Sequence, residues 1–423
     1  MDLLKSIFKG DKVIWIIFLC LCLISIIEVF SAASTLTYKS GDHWGPITQH
    51  SIILMVGAVV VVFLHNVPYK WFQVFPVFLY PISLVLLAFV TLMGIITGDR
   101  VNGAARWMTF MGLQFQPSEL AKMAVIIAVS FILSKRQDEE GANPNAFKYI
   151  MILTGLVLVL IAPENLSTAM LLFGVVFMMM FIGRVAAKKL LLLAGGLVLI
   201  VALGVGTVVA IPAKTLHNTP GLHRLETWQN RIKGFFDKDE VPAAKFDIDK
   251  DAQIAHARIA IATSHVVGKG PGNSIQRDFL SQAFSDFIFA IVIEEMGLIG
   301  GIFVVFLYLC LLMRAGRIAQ KCERTFPAFL VMGIALLLVS QAILNMMVAV
   351  GLFPVTGQPL PLVSKGGTST LINCAYIGMI LSVSRYTAHL EEQKEHDAQL
   401  QLQIETNAAD SEAQAPPNLL HRS

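Results

Sequence analysis

Ten apolar runs dominate the chain, at residues 13–33, 49–66, 72–97, 119–135, 147–163, 166–184, 188–212, 286–313, 326–350 and 366–384. Each comes close to or exceeds the roughly 20 residues with which an α-helix crosses a hydrocarbon core. The pattern therefore predicts ten membrane-spanning helices. Basic residues then set their direction. Lys5, Lys9 and Lys12, then Lys70, then Lys135, Arg136 and Lys148, then Arg184, Lys188 and Lys189, then Arg314, Arg317, Lys321 and Arg324 fall in alternate connections. Positive charge marks the cytoplasmic side, so these connections and both termini are expected inside. The opposite face then carries the segments 98–118 and 351–365 and one large loop, 213–285, between spans seven and eight. After Arg385 the chain turns polar, which predicts a cytoplasmic helical extension and then a disordered end over 386–423.

Composition agrees with this pattern and narrows it. The 423 residues are 55% hydrophobic and only 14% charged, which replaces the two or three soluble domains expected from length with one membrane domain over 1–385. The fold class expected is an all-α integral membrane protein. A net charge of +3 without a basic run gives no footing for nucleic acid. Cys20, Cys22, Cys310 and Cys374 lie in apolar runs and Cys322 in a basic loop; none has metal-ligand spacing. The first run is too long for a signal-peptide core and reads as a first span.

Charge inside an apolar run is costly and usually functional. The eighth run opens on Asp286 and holds Glu294 and Glu295. On a regular helix Glu294 lies about 80° round from Asp286 and about 12 Å along the axis, with Glu295 roughly opposite Asp286. Asp286, following Ser285, also fits a helix N-cap, which would hold it as an anion and weaken it as a base. Both glutamates fit structural pairing with polar or basic groups of neighbouring spans. Arg106 offers a planar donor fork suited to phosphate oxygens, or an interfacial anchor beside Trp107. The alternation of Met108, Phe110 and Met111 suggests a loop lying on the membrane. Ser118 is the expected cap of the fourth span, with Glu119 and Lys122 spaced to pair.

The large loop contains DAQIAHARIAIATSHVVGKGPGNSIQ, read as an amphipathic helix ending at Gly268-Lys269-Gly270. The glycines suggest a tight re-entrant turn, with Lys269 available to an anionic lipid. His217, His223, His256 and His265 lack a recognised metal spacing. Pro354, Pro359 and Pro361 beside Gly366-Gly367 exclude a regular helix, so this backbone must be buried in protein or line a wet cavity. Gln341 and Asn345, four apart in span nine, are suited to interhelical hydrogen bonds.

The stretches GAARWMTFMGLQFQPSELAKM, SDFIFAIVIEEMGLIGG and PVTGQPLPLVSKGGTS, in this order, resemble the SEDS family of cell-wall polymerases, which includes RodA, FtsW and a sporulation relative. GKGPGNSIQ before the DFIFA motif is more similar to FtsW, the division member. The resemblance covers nearly all ten spans and the large outer loop. It implies a ten-helix bundle in the bacterial cytoplasmic (inner) membrane, at the division septum. It also implies peptidoglycan glycosyltransfer from lipid II and a class B penicillin-binding transpeptidase as partner, with other division or elongation proteins. It carries the essential aspartate onto Asp286 as general base. Arg106, Glu119, Lys122, Lys269, Ser364 and Lys365 become substrate-binding candidates, and Glu294, Gln341 and Asn345 supporting ones. No organic cofactor is implied; a divalent cation, Mg or Mn, bridging pyrophosphate and carboxylate is compatible, at no located site. Two positions depart from the family: Lys365 stands where an aromatic is common, and Asn165 where an aspartate is usual. A lipid II flippase and a non-catalytic scaffold are the rival expectations.

Overall fold

A computed structural model describes residues 9–40, 45–96, 107–110, 113–138, 141–211, 229, 251–280 and 285–413. Arg106, Met111, His217 and His223 lie outside the described residues. The helices in chain order are α1 (Lys12–Ser40), α2 (Gly45–Asn66), α3 (Phe75–Ile96), α4 (Pro117–Lys135), α5 (Pro144–Ile161), α6 (Leu166–Ile182), α7 (Ala187–Ala210), α8 (Asp251–Thr263), α9 (Ile288–Gln320), α10 (Thr325–Ala349) and α11 (Gly367–Ala413). Among the described residues nine of these, all but α6 and α8, are long and apolar enough to cross a membrane, and α6 is an apolar helix of 17 residues. The chain is a multi-pass, helical membrane protein. Its outer faces carry large apolar side chains such as Phe63, Phe181 and Leu192, as expected where the solvent is lipid.

The Met108–Phe115 region departs from a simple loop. Strands β1 (Met108–Phe110) and β2 (Leu113–Phe115) form an antiparallel ribbon with Met108 opposite Phe115. The alternation of Met108 and Phe110 is strand periodicity. A second ribbon, β3 (Gln137–Asp138) and β4 (Gly141–Ala142), links α4 to α5. Ser118 does not cap α4: the helix starts at Pro117, whose missing N–H costs nothing at the first position, and Gln116 is the cap. Asn165 caps α6, accepting from Thr168 N at 3.2 Å. Aspartate would cap equally well, so asparagine here supplies the cap without a charge.

Helices α4 and α10 form the middle of the bundle, and α6 packs against both. A Cβ on Gly333 of α10 would lie 2.6 Å from Met179 Cε of α6 and 3.0 Å from Ile126 of α4. The small residue thus sets the close approach of three helices. Helix α9 packs along α10, α11 along α2, and α1 against both α2 and α9, whereas α7 faces outward along most of its length.

Helix α9 is not one continuous span. Gly297 has φ 72° and ψ −175°, so residues 288–296 and 298–320 are two helices joined at a kink. The second segment alone is about 35 Å long, enough to cross a bilayer. The regular span expected over 286–313 is therefore corrected: Glu294 and Glu295 belong to a short helix ahead of it. The connection after α8 occupies the break. Lys269 N donates to Glu294 O at 2.9 Å and Gly270 N to Glu295 O at 2.8 Å; Leu298 N donates to His265 O at 3.3 Å and Ile299 N to Val266 O at 3.4 Å. The backbone groups freed by the kink are satisfied by another stretch of backbone, as irregular structure within a membrane protein requires. Helix α8 packs on α9 through a face that buries Ala257 and Ala260, with Ile259 exposed.

Candidate active site

Asp286 stands in the turn before α9 and is half-buried. The cap of α9 is Phe287, with no side-chain cap bond, so the capping alternative for Asp286 does not hold. Its Oδ1 accepts from Ser285 Oγ at 3.2 Å. The turn itself is gripped from two sides. Ser364 Oγ donates to Ser285 O at 2.6 Å and accepts from Leu360 N at 2.8 Å. Asn345 Nδ2 donates to Asp286 O at 2.9 Å and to Gln358 O at 2.8 Å.

The proline-rich stretch against this turn is held by polar side chains that reach its carbonyls. Asn345 takes Gln358 O, Gln341 Nε2 takes Pro359 O at 3.0 Å, Tyr308 takes Pro361 O, and Ser25 takes Val363 O at 2.7 Å. Each donor is buried. Proline supplies no N–H and the stretch makes no helix, so its carbonyls would otherwise be orphaned at a cost of about 1–3 kcal/mol each. Three helices thus spend buried hydroxyls and amides on shaping one irregular segment. Lys365 follows directly, half-buried, and burial holds its ammonium below the ordinary lysine value.

Lys122 is fully buried, with Glu119 Oε1 at 2.8 Å and Gln341 Oε1 at 2.9 Å. A chain of contacts therefore runs from Glu119 through Lys122 and Gln341 to Pro359, in the segment that Asn345 and Ser364 tie to Asp286. Five sequence-singled residues other than Asp286 (Glu119, Lys122, Gln341, Asn345 and Ser364) meet in this one network. Gln341 makes the interhelical bond expected of it; Asn345 instead holds backbone.

Lys269 and Glu294 form a separate cluster. Lys269 Nζ lies 2.6 Å from Glu294 Oε1 and 3.2 Å from Thr263 Oγ1. Glu294 also accepts from Ser274 Oγ and from the backbone of Ile275 and Gln276 at 3.2 and 3.3 Å. Glu295 accepts from Ser31 Oγ, from Gly272 N at 2.9 Å and from Ser274 N at 3.2 Å, with Arg277 Nη1 at 3.7 Å. Both glutamates are fully buried. The partners expected on neighbouring spans lie mainly on the re-entrant loop, with Ser31 of α1 the exception. Adjacent carboxylates can hold one loop because it wraps across the end of the short helix.

Ser31, Ser274, Arg277, Tyr308, Gln358 and Thr168, which gives Gln358 Nε2 its partner at 2.7 Å, escaped the sequence reading. Short polar residues inside apolar runs or loops carry little periodic signal. Glu28 also escaped it, although an acid within the first run was a visible mark; it is fully buried and neither oxygen is bonded. Among the described residues no three His, Cys, Asp or Glu side chains converge on one point. These residues do not by themselves make a protein cage for a divalent cation.

A helical multi-pass bundle with a broken helix and a buried polar network around a half-exposed aspartate defines a class of membrane protein built around one site. The family model for the cell cycle proteins FtsW, RodA and SpoVE matches residues 11–389, and the chain belongs to this family. It is 32% identical over 377 residues to the probable peptidoglycan glycosyltransferase FtsW of Trichlorobacter lovleyi, covering 88% of this chain and 93% of that protein. It is 30% identical over 373 residues to the protein of the same description from Halomonas elongata, covering 86% and 88%. A chain of a peptidoglycan synthase complex shares the fold with a TM-score of 0.69 at 24% identity, over 90% of this chain and 99% of that one. The rod shape determining protein RodA of Thermus thermophilus gives 0.59 at 23%, over 89% and 97%.

Proposed function

We propose that the protein is a peptidoglycan glycosyltransferase that polymerises lipid II at the outer face of the cytoplasmic membrane, in septal wall synthesis. The single observation that supports this reading best is Asp286. Its helix is capped by another residue, its carboxyl is half-buried, and two helices and the proline-rich segment meet at its turn. In the reaction, the Asp286 carboxylate removes the proton from the acceptor sugar hydroxyl as that oxygen bonds the anomeric carbon of the donor. The bond from that carbon to the pyrophosphate oxygen breaks, and undecaprenyl pyrophosphate leaves with the electron pair. Arg106, Lys269 and Lys365 are the cations assigned to the anionic headgroup. Lys122 and Glu119 act from inside the network, because Lys122 has no exposed surface.

This reading includes ten spans with both termini cytoplasmic, the 213–285 loop outside, and a class B penicillin-binding protein as partner. The likeness to FtsW proteins described as probable peptidoglycan glycosyltransferases supports the activity, and the likeness to a chain of a peptidoglycan synthase complex supports a partner. The break in α9 is a feature that transporters also use, which favours the flippase rival. Here, however, loop backbone occupies the break, which leaves less for a translocated headgroup to bind. The test is Asp286→Asn in the purified full chain with its transpeptidase partner and lipid II. Loss of glycan strands with insertion and partner binding intact is expected; robust polymer from the variant would sink the reading.

A further inference from the structure

The residue that fixes the reactive turn lies on another helix. Asn345 is 1% exposed, and its Nδ2 reaches two carbonyl oxygens, Asp286 O at 2.9 Å and Gln358 O at 2.8 Å. A side-chain amide has two N–H groups on one nitrogen, so both donors are committed and the orientation of the amide is fixed: its oxygen could not replace its nitrogen against two acceptors. Oδ1, by contrast, is buried without a bond. Retaining it there carries a cost, which falls on a residue whose bonded atoms are those two donors. Ser364 supplies the second strut, one residue earlier, at Ser285 O.

We infer that Asn345 is the positioning residue of Asp286: its forked amide locks the Asp286 peptide to the Gln358–Ser364 segment and so sets where the carboxylate points. The inference rests on the reading of Asp286 as the base. It also explains the residue type. Aspartate of the same shape would set an acceptor against two carbonyls, glutamine is one methylene too long for the span, and alanine leaves both carbonyls unpaired in the interior.

Asn345→Asp and Asn345→Ala are compared with wild type in the full chain with its transpeptidase partner, using lipid II as substrate. A carboxylate displaced by about 1 Å loses rate on the order of 100-fold. Both variants are therefore expected to lose kcat by that factor while KM stays within about threefold, since the lost interaction orients the base and does not bind substrate. The pH–rate profile should move as well, which a purely structural role would not require. Asn345→Ala avoids the carboxylate–carbonyl repulsion and keeps the test open if Asn345→Asp does not fold. A kcat within about twofold of wild type in Asn345→Ala overturns the inference, as does a loss of rate that is accounted for entirely by lost folding or lost lipid II binding. Asp286→Asn is assayed alongside. If it polymerises, the reading of the base fails; if it is inert while Asn345→Ala turns over normally, only the positioning role fails.

Discussion

Gly268 and Gly297 face each other across the break in α9 with no space for a side chain on either. A Cβ on Gly268 would overlap the Glu295 carbonyl and Gly297 N, and one on Gly297 would overlap the Val266 carbonyl and Gly268 N. Both residues have left-handed φ, 84° and 72°, which side-chain-bearing residues rarely adopt. Alanine at either site therefore meets backbone strain and a clash with backbone that cannot rotate away. Gly297→Ala and Gly268→Ala are each predicted to cost more than about 2 kcal/mol and to unseat the loop. Thermal melting in detergent and proteolysis of the 265–277 stretch would show it; wild-type melting in both variants would refute this seating of the loop.

The Glu294–Lys269 pair makes the second prediction. Glu294 is fully buried and Lys269 is 24% exposed. Removing Lys269 leaves a buried carboxylate held by hydrogen bonds from Ser274, Ile275 and Gln276 but without its cation, at a cost of at most about 3–5 kcal/mol, whereas replacing both members can be nearly neutral. Lys269→Met should therefore destabilise, and the double variant Glu294→Gln/Lys269→Met should recover much of the loss. Recovery of the fold with an elevated KM for lipid II would assign Lys269 a second role toward the substrate headgroup. Additive losses in the double variant would show that the two side chains do not support each other.

The apolar runs were legible because lipid selects for them and composition exposes them directly: among the described residues nine of the ten coincide with helices long and apolar enough to cross a membrane, one of them broken at Gly297, and the run 166–184 coincides with the shorter apolar helix α6. The elements that shape the site were not legible in the same way. Gly297 ends a helix inside an apolar run, and a lone glycine there reads as tolerated helix. Its meaning lies in Gly268, 29 positions earlier, which no local period connects to it. Gln341 and Asn345 could be placed on one face of α10 by their spacing. That their partners were the backbone of a proline-rich stretch and the turn at Asp286 depends on tertiary packing. Glu119 and Lys122 were readable as a pair because an intrahelical spacing fixes it.

Lys365 carries the prediction in pH. Burial lowers its value from that of an ordinary lysine. A cation whose folded value lies below its unfolded one weakens the fold while charged, and that penalty fades as pH rises through the folded value towards the unfolded one. Lys365→Met should then melt higher than wild type at about pH 7, with the gap narrowing towards about pH 10. If Lys365 also meets pyrophosphate, the same variant raises KM for lipid II. A lower melting point at neutral pH would mean that partners of the ammonium outweigh its desolvation.

Lys122 separates support from chemistry. With no exposed surface it is bonded to Glu119 and Gln341, so Lys122→Met strands the Glu119 carboxylate in the interior and should cost about 3–5 kcal/mol. Glu119→Gln/Lys122→Met removes both charges in side chains of similar length and should restore much of the melting midpoint. Polymerisation by the restored variant then decides between two roles. Near-normal rates would mean that the reaction needs neither charge nor the bond from Lys122 to Gln341, and that the pair serves the stability of the bundle. A folded but inert double variant would mean that the charge of Lys122 contributes to the transition state across the network, as a fixed cation close to a departing pyrophosphate does. Measuring kcat and KM separately distinguishes this from weaker substrate binding, because a cation that acts only in the transition state lowers kcat and leaves KM in place.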